Sequence, residues 1–248
     1  MPHPCRGMSI NQLSSRFGAA FVGTALTTLL FASASCFGQL AAPAGLLSDP
    51  VQPPVTSDKR ILWIIPNYLT YPLQAKYEPI TPEEKLKIAT ADSFDRGTII
   101  LAAAFAGEEQ MANSEPSFGQ GIKGYSKRFG AAYSDLVIGD YMTEAVFPIL
   151  LHQDPRYFRR GTGSGLSRLG YAMGQIFWTH TDSGRMQFNY SEFVGNATAV
   201  AISSAYYPDG RDVSSAVSKF GIQVADDMLS NVLKEFWPDL HRKLPGSR

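Results

Sequence analysis

The spacing of apolar residues predicts a mainly helical protein. From about residue 81 onward, apolar side chains recur every three or four positions, which is the period of an amphipathic helix. Thr81, Pro82 and Glu84 add a strong start signal, because together they form a capping box with an early proline. The pattern predicts six helices, over about 82–92, 95–113, 118–152, 164–178, 191–207 and 212–237, the last of which we expect to stop at Pro238.

Two segments depart from the helical period. Residues 61–65 form a short apolar run that ends at Pro66, and the prolines and tyrosines that follow predict an extended arm packed on the helices. Near 176–190, alternating apolar residues flank a turn signal, so a short β-hairpin competes with helix there. The predicted fold is therefore mainly α: a single compact helical bundle of five or six helices, preceded by an extended N-terminal arm.

The N-terminus has the pattern of an export signal. Two basic residues and no acid accompany an apolar stretch over 17–34, and small residues follow it. We expect residues 1–38 to be a signal peptide, residues 39–59 a proline-rich flexible tether, and residues 60–248 the helical domain.

Several details of export stay open at this point. Cleavage fits after Ala34 or after Gly38, and translation could start at Met1 or at Met8. Cys36 follows small residues, so a lipid-anchored protein is an alternative to a simply cleaved one. Either outcome places the protein in the periplasm or at the outer membrane.

Composition narrows the classes of partner. The chain has 22 basic and 22 acidic residues, which argues against nucleic acid as a partner. Cys5 and Cys36 are its two cysteines, so cleavage beyond Cys36 leaves no disulfide and no thiolate chemistry. Removing Arg6 and Arg16 with the leader leaves 20 basic against 22 acidic residues, a net charge of about −2.

Two acids lie inside the apolar stripe of the long third helix. Asp140 and Glu144 are one turn apart and apolar residues surround them, so we expect both to be buried. Buried carboxylates need partners, and the candidates are the arginines after His152, Lys127, Arg128 or a metal ion. One interpretation is a structural salt bridge. The other is catalytic, with Asp140, Glu144 and His152 as acid/base groups.

A metal or cofactor site finds little support in the sequence. Glu-x-x-His pairs, His-Glu-x-x-His and Cys-x-x-Cys are all missing, and after the leader only His152, His180 and His241 remain. No nucleotide-binding glycine pattern is present either. We therefore predict no metal and no cofactor.

The segment HQDPRYFRRGTGSG, residues 152–165, is the candidate anion-binding site. It is locally basic and leads into a predicted helix N-terminus, a combination that suits phosphate. The candidate residues are Arg156, Arg159, Arg160, Gly163, Ser164 and Arg168. Either these arginines pair with Asp140, Glu144 or Glu192 inside the protein, or they contact anionic lipid headgroups.

The runs ILWIIPNY, KRFGAAYSDLVIGDYMTEAVFPILLHQDPRYFRRG and NVLKEFWPD resemble a group of exported bacterial proteins with no known activity. The likeness covers most of the mature chain, and HQDPRYFRRG is its most distinctive part. It implies export and a shared fold, and it brings no functional residue to this chain.

Three functions follow as expectations. The first is a membrane-associated binding or structural protein of the cell envelope that uses the basic aromatic loop for anionic groups. The second is a periplasmic enzyme that acts on an anionic substrate. The third is a subunit of an envelope assembly, whose partner would be another envelope protein.

Overall fold

The first helix begins where the sequence predicts, because Thr81 and Glu84 cap each other. The Glu84 amide donates to the Thr81 hydroxyl at 3.2 Å, and the Thr81 amide donates to the Glu84 carboxylate at 2.8 Å. The computed structural model describes residues 60, 61, 65–67, 69–72 and 77–243, so the predicted leader and tether lie outside it. Its α-helices are α1 Pro82–Ser93, α2 Arg96–Ala112, α3 Gly121–Asp140, α4 Phe147–Leu150, α5 Gly165–Gly174, α6 Tyr190–Tyr206 and α7 Val213–His241.

A π-helix joins α3 to α4, so residues 121–150 form one long helical rod. The π segment is Tyr141–Val146, and it lies between Asp140 and Pro148. The long third helix is thus confirmed, but the widened turn was not foreseen. Such turns are rare and occur frequently at functional sites.

Two helix ends differ from the prediction. Asn189, not Ser191, caps α6: its side chain accepts from the Glu192 amide, while the Ser191 amide donates to the side chain of Gln153. The last helix also runs through Pro238 to His241 instead of stopping. Pro238 lacks the N–H that would bond the Lys234 carbonyl, and the next carbonyl, that of Glu235, accepts from the side chains of Arg159 and Arg168.

Short strands tie the arm and the loops to the bundle. They are β1 Arg60–Ile61, β2 Ile65–Pro66, β3 Thr70–Pro72, β4 Gln153–Asp154, β5 Tyr157–Arg159, β6 Trp178–Thr181 and β7 Met186–Phe188. β3 pairs in parallel with β5, which confirms an extended arm packed on the body. β6 and β7 pair antiparallel, which confirms the hairpin near 176–190, and β4 adds a third strand to it.

The helices enclose an unusually polar interior. α3 is central and packs on α2 and α6, α7 packs on α5 and α6, and the π segment contacts α1 and α6. Among the largest fully buried side chains are Lys85, Arg128, Gln153, Asp154 and Glu235. Buried charges require partners, so the positions of their partners decide where each helix lies.

Gly195 should be essential for the contact between α6 and the π segment, whereas Gly107 in α2 should not. A Cβ at Gly195 would lie 2.9 Å from the Thr143 side chain and 3.1 Å from the Met142 backbone. We expect Gly195→Ala to lower the free energy of unfolding by about 1–3 kcal/mol through overpacking. Gly107→Ala meets no atom within 4 Å and should be neutral or stabilise by up to about 1 kcal/mol.

Urea denaturation of the two variants measures this difference. The control is matched, because both glycines lie inside helices and both gain one methyl group. Equal effects of the two substitutions would show that α6 does not approach the π segment closely.

Candidate functional site

The carboxylate of Glu235 on α7 binds the segment that begins at Tyr157. Its Oε2 accepts hydrogen bonds from the Tyr157 hydroxyl at 2.9 Å and the Arg160 amide at 3.0 Å. Its Oε1 accepts from the Gly161 amide at 2.9 Å and from Arg168 Nε at 2.7 Å. Four donors therefore surround one fully buried carboxylate and use all of its acceptor positions.

Arg156 and Arg159 of the predicted anion site, like Arg168, are bound to acids. Arg159 donates to Asp239 Oδ2 at 2.9 Å, and Arg168 lies 2.7 Å from the same oxygen. Arg156 donates to the buried Asp154 through Nε and its terminal nitrogen at 2.6–3.0 Å. Because these donors point at carboxylates of the protein itself, their role in the structure is to hold the loop.

Arg160 differs from its neighbours. In the part of the chain that the structure describes, it forms no ion pair; it donates to the Ser167 hydroxyl at 3.1 Å and lies over the Tyr171 ring. Gly163 has a φ of 103°, and Ser164 caps α5 by accepting from the Ser167 amide. Of the predicted anion-binding arginines, Arg160 is thus the one whose charge is not matched by a carboxylate of the described chain.

The prediction that loop arginines or Arg128 neutralise Asp140 and Glu144 is wrong. The loop arginines bind acids of α7 and of the loop itself, because β5 packs against α7. Arg128 donates to the Gln110 side chain at 2.7 Å and to two backbone carbonyls. Lys127 is exposed. The two acids lie inside the bundle as predicted, but they are half-buried and their neighbours are other acids.

Asp140 and Glu144 meet Asp92 and Ser93 at the end of α1. Ser93 donates to Asp140 at 3.1 Å, and the charge of Asp92 acts on both Asp140 and Glu144. Neighbouring carboxylates repel each other, so each favours the protonated form of the next. Burial, followed by the charge of Asp92, raises the pKa of Asp140 and of Glu144 well above the usual range. Burial also raises the pKa of Asp92 to about 6.

A second carboxyl pair joins α6 to α7. Glu192 lies close to Asp227, and burial followed by the charge of Asp227 raises the pKa of Glu192 well above its usual value. Asn196 donates to both carboxylates at 2.9 Å. Lys234 acts on both pairs, since its positive charge opposes the rise in the pKa of Glu144 and of Glu192.

Sequence reasoning missed Asp92, Asp227 and Lys234. A signal was available in α7, because Asp227 and Lys234 are seven residues apart and therefore share one helix face after two turns. Glu192 and Asn196, four apart in α6, show the same spacing. When polar residues repeat at helical spacing and the other faces of the same helices are apolar, the polar face can be the one that points into the bundle.

A cavity of about 310 Å³ opens beside these pairs, between α2, α3, α6 and α7. We call it the carboxylate cavity. A smaller cavity of about 70 Å³ lies on the other side of Glu144 and Asp227, which line both. Seven acids and one lysine line the carboxylate cavity: Glu108, Glu109, Asp135, Asp140, Glu144, Asp226, Asp227 and Lys219.

Asp140 and Glu144 line one cavity, but His152 does not join them. His152 follows α4 with a φ of 52°, its side chain is 84% exposed, and its Nδ1 lies 3.7 Å from Asp182. Within residues 77–243 and the short described stretches before them, no group of three His, Cys, Asp or Glu side chains is placed to hold a metal ion. The three predicted acid/base groups are therefore not one constellation.

Exposed apolar and aromatic residues lie at the hairpin and at the start of α6. Trp178, Met186 and Tyr190 are 51%, 52% and 55% exposed, and Phe177 is 41% exposed. Phe188 lies under them, with its ring 6.2 Å from that of Trp178 and 5.1 Å from that of Tyr190. We call these five residues the aromatic patch. Contiguous exposed apolar groups of this kind mark interaction surfaces.

No protein-family model, no curated protein and no solved structure matches the chain. No helix in the described ranges is long and apolar enough to cross a membrane. Functional conclusions therefore rest on the geometry of the arginine loop, the carboxylate cavity and the aromatic patch.

Replacing Glu235 should unfold the loop region at a large energetic cost. Glu235→Gln takes one of its two carboxylates from Arg168, which keeps Asp239, and turns an amide donor toward the backbone N–H groups of Arg160 and Gly161. We expect the free energy of unfolding to fall by about 3 kcal/mol, since a buried ion pair is broken from one side and buried donors lose their acceptor. Glu83→Gln, which breaks the exposed pair with Lys87, should change it by less than about 0.5 kcal/mol.

Chemical denaturation of both variants tests this. A Glu235→Gln protein within about 1 kcal/mol of the original would mean that the four donors find other acceptors.

Stability should fall as pH rises through the range where the buried acids titrate. Burial raises the pKa of Glu109 to about 7 and that of Asp226 to about 6. A raised pKa means that the folded chain holds protons which the unfolded chain releases at about pH 4, so stability decreases from pH 4.5 through 7 and then levels. The neutral variant Glu109→Gln should flatten this slope and gain about 3 kcal/mol at pH 8.

Thermal or urea unfolding between pH 4.5 and 8.5 measures the slope. Acids with a lowered pKa, such as Glu84 and Asp239, titrate below this window and do not disturb it. A stability that rises steadily from pH 5 to pH 8 would contradict the raised pKa values.

Proposed function

We propose that this is an exported cell-envelope protein that binds the surface of a membrane through its aromatic patch. The single observation that supports this is the exposure of Trp178 and Met186 on the hairpin together with Tyr190 at the start of α6, with Trp178 and Tyr190 both in contact with Phe188. Tryptophan and tyrosine combine an apolar ring with a polar atom, so they are suited to the boundary between lipid and water. The predicted leader supports the same location.

The contact differs from the one that the sequence suggested. Three of the four arginines assigned to anionic headgroups are bound to Asp154, Asp239 and Glu235. Their charges are therefore matched inside the protein, and binding through the aromatic patch should depend little on anionic lipid. Arg185, exposed in the turn of the hairpin, is placed to contact a phosphate group.

A second candidate, a subunit of an envelope assembly, has its own supporting observation. Ile99, Ile100 and Met111 on α2 are exposed, and so are Val213 and Val217 at the start of α7. Exposed apolar side chains on two helices are typical of surfaces that another protein covers. Light scattering of the purified protein addresses this candidate, because self-assembly would raise the mass above that of one chain.

Vesicle binding followed by tryptophan fluorescence tests the proposal. The chain has three tryptophans, and Trp178 is half exposed while Trp237 is buried, so insertion of the aromatic patch should shift the emission of Trp178 to the blue. We expect binding to both zwitterionic and anionic vesicles. Trp178→Ser/Tyr190→Ser should weaken binding about tenfold or more, because each lost ring removes apolar contact area.

Phe94→Ser is the matched control. Phe94 is 62% exposed at the end of α1, outside the aromatic patch, so its loss should leave binding unchanged. Binding that requires anionic lipid and disappears in Arg160→Ala would assign the contact to the basic loop instead. No binding to either vesicle, with a mass above one chain in solution, would favour the assembly.

A further inference from the structure

Acidic side chains outnumber basic ones in the lining of the carboxylate cavity. Seven acids line it, and Lys219 is the one basic residue among the lining side chains. The Lys219 ammonium lies 3.5 Å from the centre of the Tyr207 ring, a cation–π contact. The cavity thus already accepts one alkylammonium group, supplied by the chain.

Several polar atoms in the lining are sealed from solvent and have no hydrogen-bond partner among the described residues. They include Glu109 Oε2 on α2 and Gln223 Oε1 on the facing helix α7, and the Lys219 Nζ donates no hydrogen bond. Buried polar atoms are costly when unsatisfied, so acceptors without a partner on two of the helices that line the cavity favour a ligand that donates hydrogen bonds.

The cavity is elongated along α3. Its lining residues on the long rod run from Ala132 to Glu144, which is about 18 Å along a helix at 1.5 Å per residue. Glu109 and Asp135 lie toward one end, and Glu144 and Asp227 lie at the other, beside the smaller cavity. A ligand that matches this arrangement carries positive charge at both ends.

Between the acids the walls are apolar. Phe105, Leu136, Val200 and Ile222 line the cavity, and they suit the methylene groups of an aliphatic chain. α2 packs on α3 and α7 packs on α6, whereas α2 and α7 do not pack closely on each other. Ile222, which lines the cavity, is 41% exposed, so the cavity wall reaches the protein surface there.

We propose that the carboxylate cavity is a binding site for a linear aliphatic polyamine, with its ammonium groups at the two acidic ends and its methylene chain along the apolar walls. An inorganic cation fits less well, because no three acids in the described chain converge as metal ligands. The proposal does not depend on membrane binding, since the cavity lies between helices and shares no residue with the aromatic patch.

Isothermal titration of the mature chain with a charge series tests the site. The probes are spermidine, 1,4-diaminobutane, n-butylamine and 1,4-butanediol, in 150 mM NaCl. Affinity should fall in that order, by about tenfold for each ammonium lost, because each one makes charge-assisted hydrogen bonds. The neutral diol should not bind. Equal affinity for the diol and the diamine, or no heat with spermidine, would overturn the proposal.

Variants locate the site. Glu109→Gln keeps the shape of the side chain and removes its charge, and it should weaken spermidine binding about tenfold or more. Asp226→Asn should act in the same direction. Glu83→Gln, which removes an exposed acid on α1, is the matched control and should bind as the original does. Unchanged affinity in both cavity variants would place the amine on the outer surface and contradict the proposal.

The pH dependence gives a third readout that a purely structural effect would not produce. Glu109 and Asp226 have raised pKa values of about 7 and about 6, so amine binding should release protons and strengthen between pH 6 and pH 8. Titration in buffers of different ionisation enthalpy counts those protons. Binding that strengthens as pH falls would rule out carboxylate recognition.

Discussion

The structure depends first on the carboxylate of Glu235. This one buried group accepts hydrogen bonds from Tyr157, from two loop amides and from Arg168. Through Tyr157 it holds β5, and β5 holds the N-terminal arm by pairing with β3. Through Arg168 it holds α5 against α7. A buried charge is costly unless all of its acceptor positions are used, so the loop, the arm and two helices share a single permitted arrangement.

A second constraint operates where acids meet acids. Asp92 raises the pKa of Glu144 and Asp227 raises the pKa of Glu192, so both favour their protonated forms, and the charge of Lys234 opposes this rise in each. Pairs of this kind respond to pH and to ligands that bring positive charge. The Glu235 network depends on neither, because its donors belong to the protein itself. The molecule thus combines a network of arginine–carboxylate hydrogen bonds around Glu235 with an interior whose acids can change protonation.

Much of the fold could be predicted from the sequence, because it is encoded locally. The capping box at Thr81, the caps at Asp95 and Ser164 and the hairpin before Tyr190 are all visible in short stretches of sequence. The position of Asp140 and Glu144 inside the bundle could also be predicted, from the apolar residues around them. Their neighbours could not be predicted, because Asp92 and Asp227 are distant in sequence. Nothing in the local sequence distinguishes an arginine that pairs with Glu235 from one that pairs with Asp140. The continuation of α7 past Pro238 could not be predicted either, because the side chains of Arg159 and Arg168 that bind the Glu235 carbonyl come from distant parts of the sequence.

The π segment between Asp140 and Pro148 has a consequence for how the chain tolerates change in length. A wide turn is where a helix can lose a residue and remain a helix, but the loss would rotate everything beyond it by about 100°. Here, Glu144 of the cavity lining lies within the segment, and the arginine loop lies beyond it. A deletion or insertion in this short stretch would therefore turn the loop out of register with Glu235, so the wide turn sets the length of rod that the loop requires.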